Sequence, residues 1–334
     1  MTRRVGIRDV AQHAGVSIAT VSNVLNRPDR VSAALRDRVS ASADELGYVP
    51  MPAARMLRAR NSRLIGITVI NVANPFYGSL IAGAESAAVT AGMRVFSGNI
   101  DDDPQQERDH LGLFDSVQVE GALISPFADT RAAVHQMRGH GIPVVLVDAV
   151  DEDGLLSSVS FDNRAAAAMA ARHVLELGRR RVMFAGSRHE VTQVREREQG
   201  ARDAVEAAGL TLAAERLPTT DPISGLEFGA RLVAMDPSER PDAILCSNDH
   251  LAAGIVRAFT NAGVRVPEDI AVVGYDDTPL AQVAAVPLTT VRQPAFEMGH
   301  SAAQLLLARI ADPLAERETI VFAPELVVRA STIR

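Results

Sequence analysis

The sequence contains a single cysteine, Cys246, so no disulfide can close within one chain and a reducing compartment is expected. Lysine is absent: all 34 basic residues are arginine, a compositional bias to which no function is attached. No run approaches the roughly 18 uninterrupted apolar residues of a membrane span. The opening MTRRVGIRDVAQHAGV has two arginines but no long apolar stretch, so no secretory signal is expected. These absences predict a soluble cytoplasmic protein with no membrane partner. Catalytic signatures are missing as well. There is no HExxH, GxSxG, Walker loop or GxGxxG after a strand. The eight histidines are scattered, and HEVTQ from 189 lacks the second histidine of a zinc site. Adjacent Asp276 and Asp277 point oppositely on extended chain, which opposes a joint acid–base role. No enzyme, metal or cofactor is expected.

What the chain does have is length, core and an uneven charge. Its 334 residues, 47% of them hydrophobic, suit two or three domains. The net charge of -7 hides a division. Residues 1–63 carry 11 arginines against five acids, leaving 23 arginines against 36 acids in the remainder. A basic head on an acidic body places the phosphate-seeking surface at one end.

Residues 7–25, IRDVAQHAGVSIATVSNVL, read as two short helices. Val10, Ala11 and Ala14 share one face, Gly15 permits the turn, Ser17 caps the second helix, and Val21 and Val24 return inward. A third helix follows, capped by Ser32, lined by Leu35, Val39 and Leu46, and stopped by Gly47. This is a helix-turn-helix head. The segment VPMPAARMLRARNSR (49–63) is a linker too short to hold a helix alone. From residue 64 strands alternate with helices. Buried-strand runs lie at 64–70, 93–98, 121–126, 143–148, 181–186, 243–248 and 270–276. Helical stretches between them include 76–91, 130–139, 164–177, 196–208, 251–262 and 296–310. The alternation predicts an α/β body of doubly wound parallel sheets, and its length suits two side by side.

The stretch IRDVAQHAGVSIATVSNVLN, the downstream VSAALRDRVSASADELGYVP, and the body motifs NPFYGSL, FDN, RERxxG, CSND, VGYDD and PLTTVRQP together resemble the lac repressor (LacI/GalR) family of bacterial regulators. The resemblance runs from about Ile7 almost to the last residues. It implies a transcription regulator, expected to be a repressor, that binds a palindromic operator in double-stranded DNA as a homodimer. It also implies a sensor domain similar to periplasmic sugar-binding proteins, two lobes joined by three crossovers with the effector between them. The expected division is a head at 1–49, a hinge at 50–63 and a sensor at 64–334. Within the sensor, one lobe takes about 64–161 and 292–322, the other about 162–291 and 323–334.

By resemblance Ile18, Ala19 and Asn23 occupy the exposed base-reading positions, with Ser17, Thr20 and Ser22 near phosphates. Asn can pair with adenine at two points, while Ile and Ala can only touch a thymine methyl or exclude bulk. The alternative for Ile18 is packing inside the head. Arg8, Arg30 and Arg36 are candidate phosphate clamps or merely solvated charges. Ala54 and Leu57 share one face of a hinge helix, and in the family these positions enter the minor groove. Met51 and Pro52 depart from the family, which often has Asn after the first proline.

Ligands of open α/β sheets bind beyond the carboxyl ends of strands. That rule selects loops holding Asn74, Phe76, Tyr77, Ser125, Asp148, Asp162, Asn163, Asn248 and Asp276, with Arg197 just inside a following helix. The resemblance marks Arg197, Asn248 and Asp276 as the strongest contacts. Asp162 and Asn163 are equally placed to cap a helix, and Asp277 and Thr278 to stabilise their loop. Relatives carry a large aromatic near Thr220; here stacking would have to come from Phe76, Tyr77 or Phe161. The expected effector is therefore a small, hydroxyl-rich molecule, a sugar or sugar derivative, with a non-sugar metabolite such as a nucleobase as the alternative.

Overall fold

In the head, three short amphipathic helices have just enough apolar surface to close on one another. A computed structural model describes residues 5–26, 30–48, 62–187 and 191–333. The chain divides into two units, Met1–Ser62 and Arg63–Arg334. The hinge positions Ala54 and Leu57, with Met51 and Pro52, lie outside the described residues.

Helices α1 (Ile7–His13), α2 (Ile18–Asn26) and α3 (Ala33–Glu45) form the head. The Gly6 N–H donates to Asp9 Oδ2 at 2.7 Å and so ties down the start of α1. Gly15 holds φ +63, the left-handed value that glycine adopts without a Cβ clash. Ser17 caps α2, its hydroxyl accepting from the Thr20 N–H at 3.0 Å. Val10, Ala11, Ala14, Val21, Val24, Val39 and Ala43 make the core. Leu46 packs against it, whereas Leu35, expected on the inner face, is half-buried and outside the cluster. A core of small side chains at this size supports only marginal stability.

The body begins with β1 (Leu64–Val69), α4 (Pro75–Thr90), β2 (Arg94–Asn99), α5 (Pro104–Val117) and β3 (Gly121–Ile124). Next come α6 (Arg131–Gly139), β4 (Val144–Val147) and β5 (Ser157–Phe161). The chain then enters a second lobe with α7 (Asn163–Glu176), β6 (Val182–Ser187), α8 (Thr192–Ala207), β7 (Ala213–Leu217) and α9 (Pro222–Val233). That lobe continues through β8 (Ala243–Cys246), α10 (Asp249–Asn261), β9 (Ala271–Asp276), α11 (Pro279–Val283) and β10 (Thr289–Arg292). It returns to the first lobe for α12 (Ala295–Ala311) and β11 (Thr319–Phe322), and crosses again into β12 (Glu325–Val327).

Two six-stranded sheets result, ordered β11-β5-β4-β3-β1-β2 and β12-β10-β9-β8-β6-β7. Every pairing is parallel except β10 with β12. Strands such as GALI, VVLV and AILC are buried along their whole length, as sheets covered by helices on both faces require. The lobes exchange chain three times, after β5, after β10 and after β11. The returning α12 is held to α4 by backbone contact. A Cβ at Gly83 would meet the Phe296 carbonyl oxygen at 1.9 Å, and one at Gly299 the Leu80 carbonyl oxygen at 1.9 Å.

Four strands are missing from the apolar runs that the sequence sets out: β5, β7, β10 and β11. In β5, SSVSF, three buried serines interrupt the apolar run. β7 and β11 are edge strands, half-exposed by position. Among the described residues no helix is long and apolar enough to cross a membrane, and no cluster of three or more metal-ligating side chains forms.

Candidate functional site

In each sheet the strand order reverses beside its first strand, β1 in one and β6 in the other. Loops leaving the carboxyl ends there diverge and leave a crevice. The two crevices face each other across a cavity of about 580 Å³.

Arg197 is the fixed point of its wall. The residue stands on the second turn of α8 and is 7% exposed. Its Nε donates to Asn163 Oδ1 at 2.8 Å and its Nη1 to the Ser247 carbonyl at 2.6 Å. The guanidinium lies 3.7 Å over the Tyr275 ring, a cation–π contact sealed from water. Asn163 Oδ1 also accepts from the Tyr275 hydroxyl at 3.0 Å, so one amide orients both partners of that stack. Asn163 does not line the cavity; it is a positioning residue. Asp162 caps α7, accepting from the Ala165 N–H at 2.9 Å.

Two buried carboxylates flank Arg197. Asp276 accepts from Gln293 Nε2 at 2.7 Å and from Asn74 Nδ2 at 2.8 Å, with Arg197 Nη1 at 3.9 Å. Burial lifts its pKa, opposed by Arg197 and these amide donors. Asp148 Oδ2 accepts from Gln193 Nε2 at 3.1 Å, while its Oδ1 has no partner. Burial pushes the Asp148 carboxyl up to about 7, against the pull of Arg197 and with a further push from Asp276. Asn74 and Asp148 belong to the first lobe, Asp276 and Gln193 to the second. The pairs Asn74–Asp276 and Gln193–Asp148 are therefore hydrogen-bonded clasps across the cleft.

Four cavity-lining aspartates, Asp101, Asp102, Asp148 and Asp276, hold positive φ, of 54, 57, 59 and 105. Asp tolerates this region better than most residues, yet φ 105 is costly and concentrates where side chains must be aimed. Asp277 is tied away from the cavity by Arg292 at 2.8 Å and Arg329 at 2.6 Å. Thr278 donates from its N–H and hydroxyl to buried Asp249. Both stabilise the loop.

Asn74, Phe76, Tyr77, Asp148, Arg197, Asn248 and Asp276 all line the cavity. Besides Asp162 and Asn163, two more expected residues do not. Ser125 is fully buried behind the wall, and Phe161 turns into the core, edge-on to Tyr275 with ring centroids 6.1 Å apart. Asn248 and Asn74 are partly spent as helix caps, accepting from the Leu251 and Phe76 N–H groups at 2.8 and 3.0 Å. Unforeseen are Gln193, Asp101, Asp102, Asp221 and His250, which line the cavity, as does Thr220, whose hydroxyl accepts from Asn248 Nδ2 at 3.0 Å. Taken by itself the tract TTDPISG signals only a turn and a cap; the family resemblance points to its Thr220, and assembly brings Thr219 and Asp221 to the cavity wall beside it.

In the head, burial of Val21 and Val24 turns the opposite side of α2 outward. Ile18 is 45% exposed, and Ser17, Ala19 and Asn23 are exposed beside it, with Thr20 and Ser22 half-buried. The Ser17 and Thr20 hydroxyls are 2.8 Å apart at the N-terminus of α2. Arg8 and Arg30 are exposed and Arg36 half-buried. An exposed isoleucine next to an exposed asparagine, at the start of the second helix, suits contact with base edges in a major groove.

Residues 6–51 match the model of bacterial regulatory proteins, lacI family, and residues 171–332 that of the periplasmic binding protein-like domain. The chain is 33% identical over 328 residues to the HTH-type transcriptional repressor PurR of Photobacterium profundum, covering 97% of this chain and 98% of the relative. It is 31% identical over 326 residues to the ribose operon repressor of Escherichia coli (strain K12), covering 97% and 99%. The structure of the lac repressor dimer bound to operator and the anti-inducer ONPF superposes with a TM-score of 0.77 at 27% identity, over 99% of this chain and all of that one. With its basic helix-turn-helix head and its sensor-like pair of lobes around a polar cleft, the chain belongs to the lacI family of bacterial regulatory proteins.

Proposed function

We propose that this regulator senses a small, hydroxyl-rich effector, a sugar or sugar derivative, held between its two lobes, and that the effector sets the affinity of paired heads for a palindromic operator. The observation that carries this reading is the wall of the 580 Å³ cavity. Asp148, Asp276, Arg197 and Asn248 converge there with fixed donors and acceptors, a set suited to bracketing neighbouring hydroxyls. Asp148 and Asp276 are each tied to an amide donor, which fixes their oxygens toward the cavity wall as acceptors. Phe76 and Tyr77 meet edge-to-face, centroids 4.9 Å apart at 80°, and so form no parallel slot for a flat base. That geometry favours the sugar over the nucleobase.

An effector moves the DNA-binding equilibrium only by its differential affinity for the two lobe arrangements, typically about 1–3 kcal/mol of coupling. The clasps Asn74–Asp276 and Gln193–Asp148 are where such a difference arises, because both sit on the cavity wall and join the lobes. In the head, Asn23, Ile18 and Ala19 are proposed to face bases, with Ser17, Thr20, Ser22, Arg8 and Arg30 at the backbone. The test is fluorescence anisotropy of the full chain on a labelled operator, titrated with free pentoses, hexoses and nucleobases. A sugar that shifts operator affinity at least several-fold supports the reading. A response to a nucleobase and to no sugar replaces it with the alternative.

A further inference from the structure

Asp276, on the cavity wall, holds φ +105, and Asp277 after it holds φ +54. Such backbone at residues other than glycine persists only where the surroundings over-determine it. Gln293 and Asn74 fix the Asp276 oxygens. The turn that aims them is held from behind, because both residues that follow lead to one buried carboxylate, Asp249. The Thr278 N–H and hydroxyl donate to Asp249 Oδ2 at 2.7 and 3.0 Å. The Asp277 N–H donates to the Thr290 hydroxyl at 3.4 Å, and that hydroxyl donates on to Asp249 Oδ1 at 2.7 Å. Asp249, Thr278 and Thr290 are all buried, and none of them lines the cavity. The end of β9 is shaped to take the carboxylate: a Cβ at Gly274 would lie 2.3 Å from Asp249 Oδ1. At the start of α10, then, Asn248 stands on the wall and Asp249 braces the turn behind it.

We infer that Asp249 is a positioning residue of the effector site: through Thr278 and Thr290 it holds the strained turn that aims Asp276 into the cleft, before any effector arrives. This rests on the reading of the cleft as an effector site. Burying a carboxylate costs more than one neutral hydrogen bond returns. Here three donors and a matching glycine offset that cost, directly behind the turn with the largest positive φ on the wall. A site whose acceptors are fixed in advance loses less on binding than one that must order them.

The experiment uses the full chain and three variants. Asp249→Ala removes the brace outright. Should it fail to fold, Thr290→Val removes a single hydroxyl, and Thr290→Ser keeps that hydroxyl as the control. Calorimetry against free pentoses, hexoses and nucleobases identifies the compound that wild type binds most tightly, and that compound is the probe. Operator anisotropy and hydrogen exchange of residues 275–279 are measured without it. Thr290→Val should bind the probe at least about 5-fold more weakly, with Thr290→Ser and the operator affinity of both variants within about 2-fold of wild type. Exchange at 275–279 should quicken in Thr290→Val and not in Thr290→Ser. Quicker exchange with unchanged probe affinity overturns the inference and leaves the effector reading standing. Unchanged exchange overturns it too. Equal losses in the Val and Ser variants, or probe and operator affinity falling in step, overturn it in favour of general destabilisation. No binding of any compound to wild type overturns the effector reading and the inference together.

Discussion

Replacing Asp148 by Asn should stabilise the body by on the order of 4 kcal/mol at about pH 8 and by only about 1 kcal/mol at about pH 4.5, because the native carboxylate is ionised only at a cost. The side chain is 3% exposed, and burial lifts its pKa from 3.8 to about 7. Each pH unit of such a difference is about 1.4 kcal/mol, so the ionised form costs on the order of 4 kcal/mol. The sign follows from the raised folded value. Below about pH 4 the group is protonated in both folded and unfolded chains, and it costs nothing. As pH rises from there to about 7 the unfolded chain releases a proton that the folded one retains, and stability falls. Above about 7 the full cost is present. Asn is close to the protonated acid in shape: its oxygen can keep the bond from Gln193 Nε2, and its NH2 takes the position of the unpartnered Oδ1. Other buried carboxyls, Asp249 at about 7 and Asp276, steepen the wild-type curve as well, so the difference between the two proteins isolates Asp148. Urea unfolding followed by circular dichroism at about pH 4.5, 6 and 8 reads it directly. A difference that does not grow with pH, or a variant less stable than wild type at pH 8, would refute the electrostatic account. The same variant should bind effector more weakly if the cleft is the effector site, since an amide replaces a carboxylate on the cavity wall.

Asn23→Ala should cost about 1–3 kcal/mol on the operator and relax preference at one base pair. Equal losses on operator and random DNA would remove Asn23 from the base-reading set. Arg8→Ala, by contrast, should weaken both DNAs alike and reduce the salt slope by about one. Asn163→Ala should strand Arg197 Nε and the Tyr275 hydroxyl, weakening effector binding by about 1–3 kcal/mol in calorimetry while ligand-free operator affinity holds. Gly83→Ala, whose new Cβ would strike a carbonyl of α12, should destabilise the body by about 1–3 kcal/mol or more. Gly112→Ala on α5, with nothing within 4 Å, should instead stabilise it by about 0.5–1 kcal/mol. Thermal melts showing the same sign for both glycines would contradict the packing described.

What the chain reveals on its own is whatever is encoded locally. Gly15, Ser17 and the Val21/Val24 spacing specify two helices and the turn between them, because cap, turn and period all act within a few residues. The long buried strands and the helices between them declare a doubly wound body for the same reason, and the carboxyl-end rule then points to the loops of Asp148, Asn248 and Asp276. Tertiary structure decides the rest. Ser125 and Phe161 sit where that rule looks, yet Ser125 is fully buried off the cavity wall and Phe161, at the end of β5, packs in the core. Gln193 is one polar residue among many on α8 until the facing lobe brings Asp148 to its amide. Asn163 reads as a second capping candidate, and becomes the holder of Arg197 only because α7 and α8 pack side by side in one lobe. Asp101 and Asp102 look like a solvated turn, and are seen to line the cavity only once the loops have assembled. Local sequence can specify a turn or a helix, but a cavity wall built from loops far apart in the chain exists only once two sheets have been closed on each other.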